Sequence, residues 1–389
     1  MFQTSNCKQR LALYVHWPFC LSKCPYCDFN SYVNLSISQE LYAKALCLEL
    51  ENALKNVKGR TLTSIFFGGG TPSLMNVTTV EKIISLADQY VSFSDHLEVT
   101  LEANPTSVEI QKFKDFKHAG ITRLSLGIQS LDPLALKKLG RTHSVYEAIQ
   151  ALALAKNVFN KTSFDLIYAR EGQNLCEWEK ELKRALSLAD DHLSLYQLTI
   201  EPQTLFTKKL QQGQLRLPSE KSSRDMMLLT DQIMSQHNLE AYEISNYAKK
   251  NSKCKHNLMY WHYEDYIGIG PGAHGRIYIN NELHATECYR NPKEWFNNVL
   301  RKGHGLVSDE PLSSQEKAYE MLLMGLRLKE GIQREWFQKR CTMDILDCVN
   351  IHNLNSLVKE HYLYWDCKTL KTTQKGKLCL NTILTSLLS

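Results

Sequence analysis

Residues 14–29 read Tyr-Val-His-Trp-Pro-Phe-Cys-Leu-Ser-Lys-Cys-Pro-Tyr-Cys-Asp-Phe. The stretch opens inside an apolar run, Leu11–His16, that predicts a first β-strand. Cys20, Cys24 and Cys27 then follow as C-x3-C-x2-C on the connection leaving it. In parallel α/β folds the chemistry gathers at the C-terminal ends of strands. Thiolates are soft ligands that suit iron–sulfur clusters or zinc. A structural zinc site wants four ligands, usually in two separated pairs, and the chain has no second C-x2-C. A [4Fe–4S] cluster normally takes four cysteines, so three would leave one iron open to a ligand from outside the protein. Three thiols packed together by chance would instead leave exposed, oxidisable sulfur at a strand end.

Outward from that strand the first half alternates β-rich runs with helical patterns. Strands are predicted at Leu11–His16, Ser64–Gly68, Leu97–Glu102, Arg123–Ile128, Ser163–Ile167 and Leu193–Thr199. Helices are predicted at Gln39–Leu54, Val77–Tyr90, Val108–Ala119, Val145–Asn157 and Leu175–Ala189. That alternation means βαβ units on a parallel sheet. Six strands fall two short of a closed eight-stranded barrel. The fold class is therefore α/β, a partial (β/α)6 TIM-like barrel over residues 1–200. Residues 201–305 form an α+β extension, with a helix at Arg224–Gln236, an aromatic-rich stretch from Tyr242 to Tyr289, and the glycine-rich Gly268–Gly275. Residues 306–389 form a winged-helix-like C-terminal domain, with a short β run at Tyr362–Trp365 and a last helix.

The composition excludes several classes. The 389 residues carry 43% hydrophobic and 22% charged side chains, an ordinary globular balance that disfavours disorder and coiled coil. A formal charge of +5 is too small to argue for nucleic acid. Lys368, Lys371, Lys375 and Lys377 near the expected wing read as a solvated face rather than a DNA-binding one. No apolar run approaches the roughly 20 residues of a transmembrane helix. The N-terminus lacks an apolar signal core, so a cytoplasmic location is expected. In a reducing compartment the scattered cysteines, Cys7, Cys47, Cys176, Cys254, Cys288, Cys341, Cys348, Cys367 and Cys379, read as small buried hydrophobes.

On the cysteine triplet after strand one, the chain resembles the radical S-adenosylmethionine (SAM) superfamily. The fuller form Cys24-Pro-Tyr-Cys-Asp-Phe29 is similar to its heme chaperones, which are related to oxygen-independent coproporphyrinogen III oxidase. The resemblance extends over residues 11–388. It implies a [4Fe–4S] cluster on Cys20, Cys24 and Cys27, with SAM on the open iron. Gly68-Gly69-Gly70-Thr71-Pro72, by itself readable as a plain strand-to-helix turn, would then contact the methionine part of SAM. Glu102, Gln129, Arg141 and Asp165 lie at or near successive strand ends and would bind SAM, with Tyr14 and Tyr26 as contacts near the cluster. The family's Gly-Leu-Pro after strand five is replaced here by Ala169-Arg170-Glu171, which would bring two charges into a loop facing the site.

His256-Asn-Leu-Met-Tyr260-Trp261 matches a motif the family is thought to use for heme. An imidazole is a common axial ligand, and Tyr260 and Trp261 offer flat apolar surface to a porphyrin. On chemistry alone the reading of His256 as a buried histidine among core aromatics is the stronger, and the resemblance reverses that order. His274 is a second candidate ligand and Cys254 a third. The resemblance thus implies a heme chaperone that passes heme to hemoproteins such as membrane cytochromes, with peripheral membrane association open to it. The alternative is a coproporphyrinogen III oxidase working by radical decarboxylation. The oxidase has a fourth cysteine two residues past the triplet, where this chain has Phe29, and a longer segment before the first strand than the 13 residues preceding Tyr14. Both differences favour the chaperone.

Overall fold

Leu11, Ala12, Leu13 and Val15 are all fully buried, so the first strand is covered on both faces. Such strands belong to parallel sheets flanked by helices. The computed structural model describes residues 10–33 and 38–389, and Cys7 lies outside them. Six strands, β1 (Arg10–Trp17), β2 (Thr61–Gly69), β3 (Ser92–Ala103), β4 (Arg123–Gln129), β5 (Lys161–Tyr168) and β6 (His192–Gln197), pair in sequence order and in parallel. Each overlaps a run the sequence marks as a strand.

The sheet continues at both ends. Beyond β6 come β7 (Glu240–Ala241) and β8 (Asn246–Ala248), antiparallel and with β7 outermost. On the other side β9 (Tyr266–Ile269) runs parallel to β1, with Tyr14 opposite Gly268. Then β10 (His274–Ile279), β11 (Glu282–Cys288) and β12 (Leu306–Pro311) follow antiparallel. The result is one open sheet of 12 strands in the order β12-β11-β10-β9-β1-β2-β3-β4-β5-β6-β8-β7. The extension is therefore part of the barrel sheet and not a layer beside it.

Helices α1 (Gln39–Leu54), α2 (Val77–Tyr90), α3 (Val145–Val158) and α4 (Leu175–Leu188) cover the sheet where the periodicity places them. Ser144 with Glu147 and Asn174 with Glu177 form capping boxes that start α3 and α4. The helix expected over Val108–Ala119 is split into Ser107–Ile110 and Phe113–His118. Glu109 anchors the first piece. Its buried carboxylate accepts from the Asn104 N–H at 2.8 Å, the Thr106 hydroxyl at 3.1 Å and the Ser73 hydroxyl. These bonds fasten the first turn to the loop after β3.

A separate apolar cluster organises the C-terminal residues around Phe337, Leu354, Leu370 and Leu387. There Ile332–Gln333 and Leu363–Trp365 flank Thr369–Thr372 in a three-stranded antiparallel sheet packed by short helices. This cluster is tied to the large sheet by buried charge. Asp265 accepts from Arg60 and, at 2.8 Å, from Arg340. The Arg340 guanidinium also lies 4.7 Å from the Tyr278 ring centroid and 5.5 Å from that of Trp336.

Candidate functional site

The loop leaving β1 turns sharply, with the Cys27 N–H bonded to the Cys24 carbonyl at 3.1 Å. Phe19–Cys20 pairs with Tyr32–Val33 as a two-stranded clip that fixes both ends of the loop. The glycine loop after β2 crosses over it. The Gly70 N–H reaches the Trp17 carbonyl at 2.7 Å, and the Thr71 N–H reaches that of Phe19 at 2.9 Å. A Cβ on Gly70 would stand 2.9 Å from Cys20 Sγ and 2.8 Å from the Phe19 oxygen, so only glycine fits. Gly69 has φ of +113° and would press on His16. The Thr71 hydroxyl lies 3.5 Å from Cys20 Sγ, and Arg141 Nη1 lies 3.4 Å from Cys24 Sγ.

The three thiols are free and half-buried. Burial pushes those of Cys20 and Cys27 up. Among the described residues no three potential ligands converge as on a single metal ion. Three soft donors spread over one short loop, with hydrogen-bond donors beside two of them, fit a polynuclear cluster.

At the neighbouring strand ends, Glu102 on β3 accepts from the Gly69 N–H at 3.2 Å. Burial, with the Asp165 charge as a second cause, raises its carboxyl to about 8. Burial likewise raises Asp165 on β5 to about 6. The Tyr14 hydroxyl pairs with His16 Nδ1 at 2.9 Å, and His16 Nε2 with the Asn30 carbonyl at 2.9 Å. Arg141 donates to the Gly127 carbonyl at 2.8 Å and to Asn104, whose amide reaches the Thr71 hydroxyl at 3.1 Å. Asn104 is thus the hub between arginine and glycine loop. The sequence reading passed over it, although Asn-Pro directly after a strand marks such a turn. Gln129 ends β4 with φ of 70°, a left-handed conformation uncommon outside glycine. Tyr26 packs on Phe206 at 6.2 Å beside Arg141.

The altered loop after β5 does not face this site as the sequence suggests. Ala169 takes the positive φ of 55°, and Gly172 a φ of 72°. The Arg170 side chain turns inward and forks onto Glu181, and also donates to the Ser130 hydroxyl and the Ile167 carbonyl, both at 2.9 Å. Glu171 points outward to Lys138 at 2.9 Å. The substitution therefore builds an internal clamp and adds no charge at the strand ends.

Beside Gly69 and Glu102 opens a cavity of about 630 Å³, walled by Tyr14, Phe66, Tyr260, Trp261, Tyr263 and Tyr266. His256, on helix α5 (Lys255–Trp261), stands behind this wall. It is 1% exposed and stacks on Phe66 with ring centroids 5.0 Å apart. Its Nδ1 pairs with the Ser64 hydroxyl at 2.9 Å and its Nε2 with the Tyr260 hydroxyl at 2.7 Å. Burial lowers its pKa to about 3. Both ring nitrogens of His256 are thus engaged by hydroxyls, behind the wall and not in the cavity. Cys254 is also buried, against Glu98, with its thiol pushed up to about 12 by burial. Tyr260 and Trp261 do face the cavity, and Trp261 is backed by Arg327 at 4.8 Å from its ring.

Against known proteins, the family described as the Radical SAM superfamily matches residues 14–185. The heme chaperone HemW of Escherichia coli is 34% identical, over 96% of this chain and 97% of its own length. HemW of Buchnera aphidicola from Schizaphis graminum is 35% identical over the same shares. The mitochondrial radical S-adenosyl methionine domain-containing protein 1 of Danio rerio is 35% identical, over 97% of this chain and 86% of its own. Among solved structures, coproporphyrinogen III oxidase (HemN) from Escherichia coli superposes with a TM-score of 0.81 at 20% identity, covering 99% of this chain and 92% of that one. That likeness speaks to the fold alone.

Proposed function

The chain belongs to the radical SAM superfamily and, within it, to the HemW family, and on that premise we propose that it is a heme chaperone. It binds heme and delivers it to hemoproteins such as membrane cytochromes, from the cytoplasm. No helix among the described residues is long and apolar enough to cross a membrane, so contact with a membrane acceptor would be peripheral. The observation that supports heme as cargo is the aromatic cavity of about 630 Å³ next to the cysteine corner. Its size is in the range of small-molecule sites, and its walls suit a flat apolar ring.

Cys20, Cys24 and Cys27 would hold the [4Fe–4S] cluster that the family implies. When bound, such a cluster supplies single electrons to a ligand on its open iron. The backbone of Gly69, Gly70 and Thr71 would take the carboxylate end of SAM. Glu102 and Asp165 would face its polar groups, and Gln129, Tyr14 and Tyr26 would complete the site. Arg141 has its guanidinium engaged by Asn104, the Gly127 carbonyl and Cys24 Sγ. It would therefore act by orienting Asn104 and the cysteine loop, with less left for SAM itself.

The test is anaerobic reconstitution followed by heme titration, transfer to an apo-cytochrome, and a parallel assay with coproporphyrinogen III. A Soret shift with heme transfer, and no porphyrinogen turnover, is the expected result. Turnover of coproporphyrinogen III without heme uptake would replace the chaperone with the oxidase.

A further inference from the structure

If heme occupies the aromatic cavity, its iron needs a ligand with a free lone pair. The motif histidine, His256, spends both ring nitrogens behind the wall, as described above. His16 lines the cavity but spends both of its own on Tyr14 and Asn30. His274 differs from both. It opens β10 directly after the glycine-rich turn, lines the cavity, and its side chain is 53% exposed. Among the described residues its ring makes no hydrogen bond: Glu287 comes to 3.9 Å, Nε2 to Oε1, too long for one, and Arg276, Arg290 and Glu320 act on it only through their charges. Burial holds its pKa below the ordinary value, which favours the neutral, ligating form at neutral pH.

The backbone carrying His274 is rigid. The Gly270 N–H is held by the buried Glu49 carboxylate at 2.7 Å, and the Pro271 carbonyl accepts from the Asn30 amide at 2.8 Å. A ligand on such a hairpin is positioned before the macrocycle arrives.

Two arginines line the same cavity, and they are not equivalent. Arg276 is committed. Its fork binds Glu320 at 2.8 and 2.7 Å, and Glu320 also accepts from the Tyr263 hydroxyl at 2.6 Å. Arg290 is exposed, and its guanidinium pairs with none of the described residues. Its carbonyl accepts from the Asn30 amide at 2.9 Å and the Tyr32 hydroxyl at 3.3 Å, which fixes its backbone near the cysteine loop. A free guanidinium on a cavity edge is suited to a carboxylate in fork geometry.

Resting on the reading of heme as cargo, we propose that His274 is the axial ligand of the heme iron and that Arg290 binds a propionate at the cavity mouth. The macrocycle then enters with its apolar edge toward Trp261 and Tyr266 and its carboxylates outward. His256 acts as a buttress that sets the Tyr260 ring.

The experiment is a heme titration, read by absorbance and by dissociation constant, on the parent and on three variants whose cluster iron and circular dichroism match it. His274→Ala should lose the Soret shift and bind heme about tenfold or more weaker, and added imidazole should restore the shift. A purely structural residue would give no such rescue. His256→Gln should keep the Soret position. Arg290→Glu should weaken heme binding about tenfold with the Soret band unmoved. It should not alter binding of heme dimethyl ester, which lacks the free carboxylates. A His274→Ala protein with the parent's spectrum and affinity would overturn the assignment, and so would loss of the shift in His256→Gln alone. A parent that takes up no heme at all would overturn the cargo reading beneath it.

Discussion

The cysteine corner and the aromatic cavity share Gly69 and Glu102, yet they are built in opposite ways. The corner is local and made of backbone. Two adjacent strand-end loops interlock through main-chain hydrogen bonds, and glycine is required where they cross. The cavity is distant and made of side chains, gathering Tyr14, Phe66, Trp261, Tyr266, His274 and Met324 from segments far apart in the chain. A corner of this kind is specified by short words of sequence. A cavity of that kind exists only once the topology is complete, so its properties cannot be read from any one motif.

The contrast can be broken experimentally, and the largest effect is expected at the corner. Cys24→Ala should reduce cluster iron in the reconstituted protein from about four per chain to near zero, while leaving the aromatic cavity intact. Full iron content in that variant would remove the corner from cofactor binding. The next largest effect concerns the cavity's support. Asp265→Ala would orphan the buried Arg60 and Arg340 guanidinia and should cost ~3–5 kcal/mol in chemical denaturation. Heme affinity should fall with it and SAM affinity should hold. A parallel loss of both would mean that the two regions are one unit.

Arg170→Met should cost ~3 kcal/mol by leaving Glu181 buried without its partner. It should not change SAM affinity, because the arginine turns away from the strand ends. A changed affinity with unchanged stability would reverse that placement. The remaining effect is a pH dependence. The Glu102 carboxyl is raised from 4.5 to about 8, so the folded state keeps its proton where the unfolded chain has lost it. Its contribution to stability is full below about 4.5 and is lost as the pH rises through about 8. Glu102→Gln should remove part of the decline in Tm across that range, and a profile superposable on the parent's would place the carboxyl in solvent.

The barrel strands and helices were legible because their apolar periodicity is undisturbed, and α1 and α2 lie where the pattern places them. β9 was not. It has only four residues, Tyr266–Ile269, one of them Gly268, and inside a glycine-rich run it reads as part of a turn. Its pairing beside β1 is a tertiary fact, and with it goes the cavity. His256 was visible as a residue and invisible as an orientation, since its partners Ser64 and Tyr260 come from β2 and from its own helix. The two charges after β5 looked like a disturbance of the site, because sequence gives the identity of Arg170 and not the direction in which it points.

Glu49 carries a consequence for motion. This one carboxylate, fully enclosed, gathers the N–H groups of Gly270 and Gly305 at 2.7 Å each and the Trp295 indole at 2.9 Å. A helix, a hairpin turn and a distant loop therefore share a single rivet, which seals one side of the cavity to the barrel. Breathing that lets a bulky occupant in or out is expected on the other side, where Leu323 and Met324 of Ser314–Gly325 line the cavity. Hydrogen exchange should show this as slow amides at Gly270 and Gly305 and a faster hinge around the Arg276–Glu320 latch, giving the cavity one fixed jaw and one that swings.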